Sequence, residues 1–191
     1  RVSKGLMKFD ASHGLQIGTV KVSTLEEGKI LVDIPMDVKG KDCLFIHSTR
    51  TSKGIVELLA ILEEIRKRGA GDIHVLFFYF GYDRQEKNFP APRYGEKAFG
   101  VNAAKMILSL ISQYCGRIYT VNTHFIKEPR INAYQLEGVG GLDIVNLNAF
   151  FCLVRYFIDN YDLDRPVLVA PDQGTFSFLA LLADCVAKKA A

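Results

Sequence analysis

The chain has 191 residues, 49% hydrophobic and 24% charged, a composition ordinary for a globular domain and long enough for one domain or one plus part of another. Its 24 Lys and Arg against 21 Asp and Glu leave a net charge of +3, which does not argue for a nucleic-acid surface. No apolar run approaches a membrane span, and no apolar core precedes a small-residue cleavage site, so a cytoplasmic protein without a signal peptide is expected.

In chain order, Gly18–Val22 and Ile30–Ile34 alternate like strands around Glu26-Glu27-Gly28-Lys29, a hairpin pattern that Pro35 ends. Cys43–Ile46 reads as a short, fully buried strand after the turn Lys39-Gly40-Lys41-Asp42. A helix follows, with Ile55, Leu58, Leu59, Leu62 and Ile65 at helical spacing and Ser52 as its expected cap. Ile73–Tyr79 is a strand. Beyond a loop with two prolines, Phe99, Ala103, Met106, Ile107, Leu110, Ile111 and Tyr114 form the stripe of a second helix. Arg117–Val121 is a strand ending at Asn122-Thr123-His124, and a polar, Gly-rich loop is expected from there to about Asp143. A third helix is expected over 148–161, with Phe150, Val154, Phe157 and Tyr161 on one side. Val167–Ala170 reads as a buried strand, and 175–187 as a helix apolar around most of its circumference.

Alternating strands and helices imply an α/β fold. Its mainly parallel sheet would be flanked by helices on both faces and preceded by the N-terminal hairpin. The best boundary gives residues 1–147 as one domain and 148–191 as the first helix-strand-helix of a second. The chain begins at Arg1 and stops inside a helix-like stretch, ends expected of a piece of something longer, though processing gives the same ends. Lys4, Lys8, Lys21, Lys29, Lys39 and Lys41 crowd the first part of the chain as a solvated face or an attractor of anionic substrates. The four cysteines include no C-x-x-C pair, which argues against a zinc or redox motif, and Cys43 and Cys152 read as small core residues.

The most informative run is Phe80-Gly81-Tyr82-Asp83-Arg84-Gln85, directly after the strand Ile73–Tyr79. Ligands of open α/β sheets sit beyond the carboxyl ends of strands. Arg offers a planar fork of donors for phosphate, and Gln pairs with an amide-like base edge. Read alone, the run is better taken as a polar strand exit closed by an Asp83–Arg84 pair.

With its neighbours, the run resembles the ribose-phosphate pyrophosphokinase family. Tyr79-Phe80-Gly81-Tyr82-Asp83-Arg84-Gln85 is similar to the family's strand-exit signature. Leu25-Glu26-Glu27-Gly28-Lys29, Val38-Lys39-Gly40-Lys41-Asp42, Val121-Asn122-Thr123-His124 and Ala170-Pro171-Asp172-Gln173-Gly174 resemble four more of its motifs, in the same order. The resemblance implies a phosphoribosyltransferase-like fold and an enzyme that moves diphosphate from Mg-ATP to ribose 5-phosphate, giving phosphoribosyl pyrophosphate and AMP. It further implies a homo-oligomer and no nucleic-acid or membrane partner. Under it, Arg84, Gln85 and Glu27 would contact ATP, and His124 and Asp172 would associate with Mg2+. No catalytic residue is assigned, because the family's lysine-bearing loop and its acidic Gly-Thr-rich sugar-phosphate loop have no counterpart in this sequence. This chain alone is therefore expected to be inactive. Asp83 stands where the family has Ala, Lys29 where it has Glu, and Thr175 where it has Gly. These departures support the alternative of a non-catalytic regulatory or structural homologue.

Overall fold

The computed structural model describes residues 15–86, 89–90, 99–124, 133–135, 139, 141–161, 167–176, 179 and 182–183. Strands β1 (Lys21–Thr24) and β2 (Ile30–Asp33) form the expected antiparallel hairpin, with Lys21 opposite Asp33 and Thr24 opposite Ile30. β1 starts later than its alternation suggested. Extending the register would set Thr19 against Pro35, which has no N–H to give to the ladder. A 3₁₀ turn, Glu26–Gly28, closes the hairpin with Glu27 at φ 61° and Gly28 at φ 75°.

The body of the chain runs β3 (Cys43–Ser48), α1 (Ser52–Lys67), β4 (Ile73–Tyr79), β5 (Phe89–Pro90), β6 (Phe99–Gly100), α2 (Ala103–Ile111), β7 (Arg117–Val121), β8 (Ala133–Gln135), β9 (Asp143–Leu147) and α3 (Phe150–Asn160). β5 and β6 form a short antiparallel ladder of their own. The main sheet has the order β3-β4-β7-β9-β8. Its first four strands are parallel, and β8 is antiparallel to β9.

Consecutive parallel strands laid side by side, each joined by a right-handed crossover, put their helices on one side of the sheet. Accordingly, α1 and α2 touch one another. Leu58, Leu62, Ile107, Leu108 and Ile111 pack with Val75, Phe77, Ile118 and Ile144 in one buried core. Cover on both faces was expected. Among the described residues the opposite face carries Leu44, Ile46, His74, Leu76 and Phe78, none of them buried. β3 is therefore not the fully buried strand expected: as the sheet's edge it leaves Leu44 54% exposed.

Thr51, not Ser52, caps α1, its hydroxyl accepting the Gly54 N–H at 3.2 Å. α2 is shorter than its apolar stripe. Ala103, Ile107 and Ile111 are buried as expected, but Met106 and Leu110 are exposed and Ala104 and Leu108 take the inner positions.

β8 and β9 fall where a loop was expected or nothing was assigned. Asp143-Ile144-Val145-Asn146-Leu147 is short and has a polar residue in its middle. It is a strand because Asn146 is satisfied there, accepting the Thr123 N–H at 3.1 Å.

Residues beyond β9 behave differently. α3 forms near its expected bounds but buries no residue. Val167–Ala170 is not a strand: Val167 and Val169 are 82% and 78% exposed, and no strand pairs with the segment among the described residues. Most of the expected 175–187 helix lies outside the described residues. Cys152 is exposed and Cys43 half-buried, so neither is the core residue expected, whereas Cys115 is buried. No described helix is long and apolar enough to cross a membrane.

Candidate functional site

The carboxyl ends of β4 and β7 meet at one edge of the sheet, and the sequence explains why. Phe80 continues β4 into the core, its ring 5.3 Å from that of Phe77. Gly81 then crosses the β3–α1 connection so closely that a Cβ there would strike the Thr49 carbonyl. Only glycine allows that approach. Thr49 is fully buried, its N–H donating to the Tyr79 carbonyl (3.0 Å) and its hydroxyl accepting the Gly81 N–H (3.1 Å).

Two turns follow. Asp83 N–H donates to the Phe80 carbonyl and Gln85 N–H to the Tyr82 carbonyl. The loop is tied to both helix starts. The Tyr82 and Ser52 hydroxyls bond at 3.0 Å. The Gln85 carbonyl accepts the Ala104 N–H at 3.2 Å, and the Glu86 carbonyl accepts Asn102 Nδ2 at 2.6 Å. Arg84 is exposed, and among the described residues its guanidinium has no hydrogen-bond or ion-pair partner.

β7 exits beside this loop. Asn122 turns the chain at φ 48°, and its Oδ1 accepts the Ala149 N–H. His124 follows. Its backbone N–H donates to Asp83 Oδ2 at 3.1 Å, and its Nδ1 lies 3.6 Å from Glu86 Oε1. Asp83 therefore engages the β7 turn, not Arg84 as its adjacency suggested. The structure brings Arg84 and Gln85 onto the same loop edge as His124.

The other two expected site residues are not joined to them. Glu27 is exposed on the hairpin turn and pairs with Lys29 at 3.1 Å. Asp172 Oδ1 accepts both the N–H and the hydroxyl of Thr175 at 3.0 Å, so it stabilises its own turn. Among the described residues no three His, Cys, Asp or Glu side chains converge as a metal cage.

One buried acceptor does fit a hydrated cation. Glu86 Oε2 is buried without a hydrogen-bond partner, next to His124. Magnesium keeps several waters and takes one or two carboxylates, so an incomplete protein shell suits it.

Glu86, Asn146 and Thr49 were given no role from the sequence, and Asn122 entered only as part of a motif. Each acts through a neighbour distant along the chain, and only Asn146, a polar residue inside an apolar run, carries a local signal. A cavity of about 350 Å³ lies at the opposite, amino end of the strands, lined in part by Ile73, His74, Cys115, Arg117 and Asp143. It is not at this site.

A mainly parallel sheet with polar loops gathered at the carboxyl ends of β4 and β7 defines an α/β domain, and that edge is where such folds place ligands. Residues 5–113 match the model of the N-terminal domain of ribose phosphate pyrophosphokinase, and the chain belongs to that family. It is 30% identical over 163 residues to the ribose-phosphate pyrophosphokinase of Rhizobium meliloti (strain 1021), covering 84% of this chain and 48% of that protein. It is 30% identical over 174 residues to that of Buchnera aphidicola subsp. Schizaphis graminum, covering 88% and 50%. The chain spans about half the length of the curated relatives it matches. The fold is similar to the crystal structure of phosphoribosylpyrophosphate synthetase from Mycobacterium smegmatis, with a TM-score of 0.66, 18% identity, and cover of 96% of this chain and 57% of that one.

Proposed function

We propose that this chain supplies the nucleotide-facing part of a ribose-phosphate pyrophosphokinase. The complete machinery transfers diphosphate from Mg-ATP to ribose 5-phosphate and releases AMP. The observation that carries this reading is Arg84, exposed and unpartnered on the loop edge that also holds His124. A guanidinium with all its donors free suits the oxygens of a triphosphate, and Gln85 on the same turn suits a base edge. Magnesium, when bound, screens the phosphate charge; His124 and the Glu86 carboxylate would meet its water shell, and Asp172 would join them only if its turn approached this edge. Glu27 would reach adenine across a subunit boundary, in a cytoplasmic homo-oligomer. Residues 1–147 form the first domain in this reading and 148–191 the start of a second. Because no sugar-phosphate cradle occurs in this sequence, the chain does not make phosphoribosyl pyrophosphate unaided.

Calorimetric titration with ATP, with and without Mg2+, tests the site. A charge-assisted bond contributes about 1.5–3 kcal/mol, so Arg84→Ala should weaken binding by about tenfold to a hundredfold. Unchanged affinity removes the site. A second reading, a non-catalytic homologue, is favoured by the Glu27–Lys29 ion pair, which occupies the carboxylate meant for the nucleotide. Under that reading wild-type chain shows no Mg-dependent ATP binding.

A further inference from the structure

We propose that Glu86 is a positioning residue that fixes the tautomer of His124, so that Nδ1 carries the proton and Nε2 presents its lone pair to the crevice. The argument starts from the carboxylate. The Glu86 side chain is 21% exposed, its Oε2 is buried without a partner, and its Oε1 lies 3.6 Å from His124 Nδ1. A mostly buried carboxylate that lacks a donor is costly. The His124 ring nitrogen Nδ1 faces the other oxygen of the same carboxylate and is able to donate to it. At 3.6 Å the contact is longer than a hydrogen bond, and a small rotation of the half-exposed His124 ring would close it.

The opposite tautomer would aim the Nδ1 lone pair at the carboxylate oxygens, a repulsion with no compensating donor. Asp83 removes the remaining freedom: its Oδ2 accepts the His124 backbone N–H at 3.1 Å and anchors the turn from which the ring projects. Asn102 does the same for Glu86 by donating to its carbonyl. The two acidic residues thus divide the task, one holding the main chain and the other the ring. Carboxylates behind ligand histidines orient them in this way, and losing one costs about 10–100-fold in metal affinity. The consequence for Mg-ATP rests on the function proposed above; the tautomer does not.

The test is a nitrogen-15 spectrum of the imidazole rings at a pH where they are neutral. The chain has four histidines, so His124→Gln assigns the signal. Wild-type chain should show His124 as the Nδ1–H form, the reverse of the preference of free histidine in water. Glu86→Met, nearly isosteric but without an acceptor, should return it toward Nε2–H. An Nε2–H ring in the wild type, or an Nδ1–H ring that persists in Glu86→Met, overturns the proposal; if that variant fails to fold, the wild-type spectrum decides. Mg-ATP affinity should also fall about tenfold in Glu86→Met. If the tautomer is as stated but Arg84→Ala leaves ATP binding unchanged, the positioning role stands and the nucleotide site falls.

Discussion

α1 and α3 are both helices with a clean apolar stripe, and they meet opposite fates. α1 lays Ile55, Leu58, Ile61, Leu62 and Ile65 against the sheet, all buried. α3 carries Phe151, Leu153, Tyr156 and Phe157, all exposed, and its aromatic rings contact one another instead of a core. The difference lies in what each helix faces. α1 is a crossover between paired parallel strands, so the connection that forms it also docks it. α3 follows the last paired strand and leads to a segment that pairs with nothing among the described residues. An amphipathic stripe states a demand for burial; it does not say where the partner comes from.

The strongest way to break that contrast is to truncate one side chain from each stripe. Leu58 is fully buried, so Leu58→Ala should cost about 2–5 kcal/mol in urea unfolding. Phe157 is 52% exposed, so Phe157→Ala should stay within about 0.5 kcal/mol. Comparable losses at the two sites would mean that α3 is docked in solution, and the distinction between the regions would collapse.

The legible part of the fold follows the same division. β4 and β7 were readable to the residue, because in each every second side chain enters the core: Ile73, Val75 and Phe77 in β4, Ile118 and Thr120 in β7. β3 was readable in place but not in burial, since position at the sheet edge is set by topology. β9 was missed because Asn146 interrupts its pattern, and the acceptor role that justifies Asn146 involves Thr123, far away in sequence. Val167–Ala170 read as a strand from composition alone, and composition cannot supply a hydrogen-bonding neighbour.

A second contrast sharpens the account within the packed region, between glycines at its two ends. Gly81 sits where a Cβ would strike the Thr49 carbonyl. Gly81→Ala should therefore cost about 1–3 kcal/mol through forced displacement of the loop, and should weaken ATP binding with it. At the amino end, a Cβ on Gly116 would meet only the Gly141 carbonyl, at an ordinary 3.7 Å. Gly116→Ala should be neutral or stabilise by up to about 1 kcal/mol, through the unfolded chain. Thermal unfolding of both variants decides it. Equal shifts would show that the crowding at Gly81 is not what shapes the loop.

The placement of Arg84, Gln85 and His124 at neighbouring strand exits was legible, because each closely follows a strand the sequence marks. The candidate site was not legible where chemistry depends on which loops meet. Asp83 beside Arg84 in sequence suggested a pair, yet its carboxylate serves the His124 main chain. Glu86 gave no signal beyond being the next residue after Gln85, and its value lies in an oxygen left buried beside another strand's histidine.

The smallest effect compares two thiols, one from each region. Burial pushes the Cys115 thiol up to about 11, so at neutral pH it is protonated, enclosed and unreactive. Cys152 on α3 is exposed, and Cys43 lies between them, its thiol raised by partial burial and by Asp42. Among the three described cysteines, alkylation of folded chain should modify Cys152 first, Cys43 more slowly, and Cys115 only on unfolding, with mass spectrometry reading the order. The raised Cys115 value also carries a sign. The unfolded thiol ionises near its ordinary value of 9.0 while the folded one keeps its proton, so its contribution is intact below pH 9 and is lost as pH climbs toward about 11. Cys115→Ala should flatten that alkaline decline without altering the reactivity of Cys152. Protection of Cys152 in the folded chain would be the direct chemical sign that α3 has found a partner.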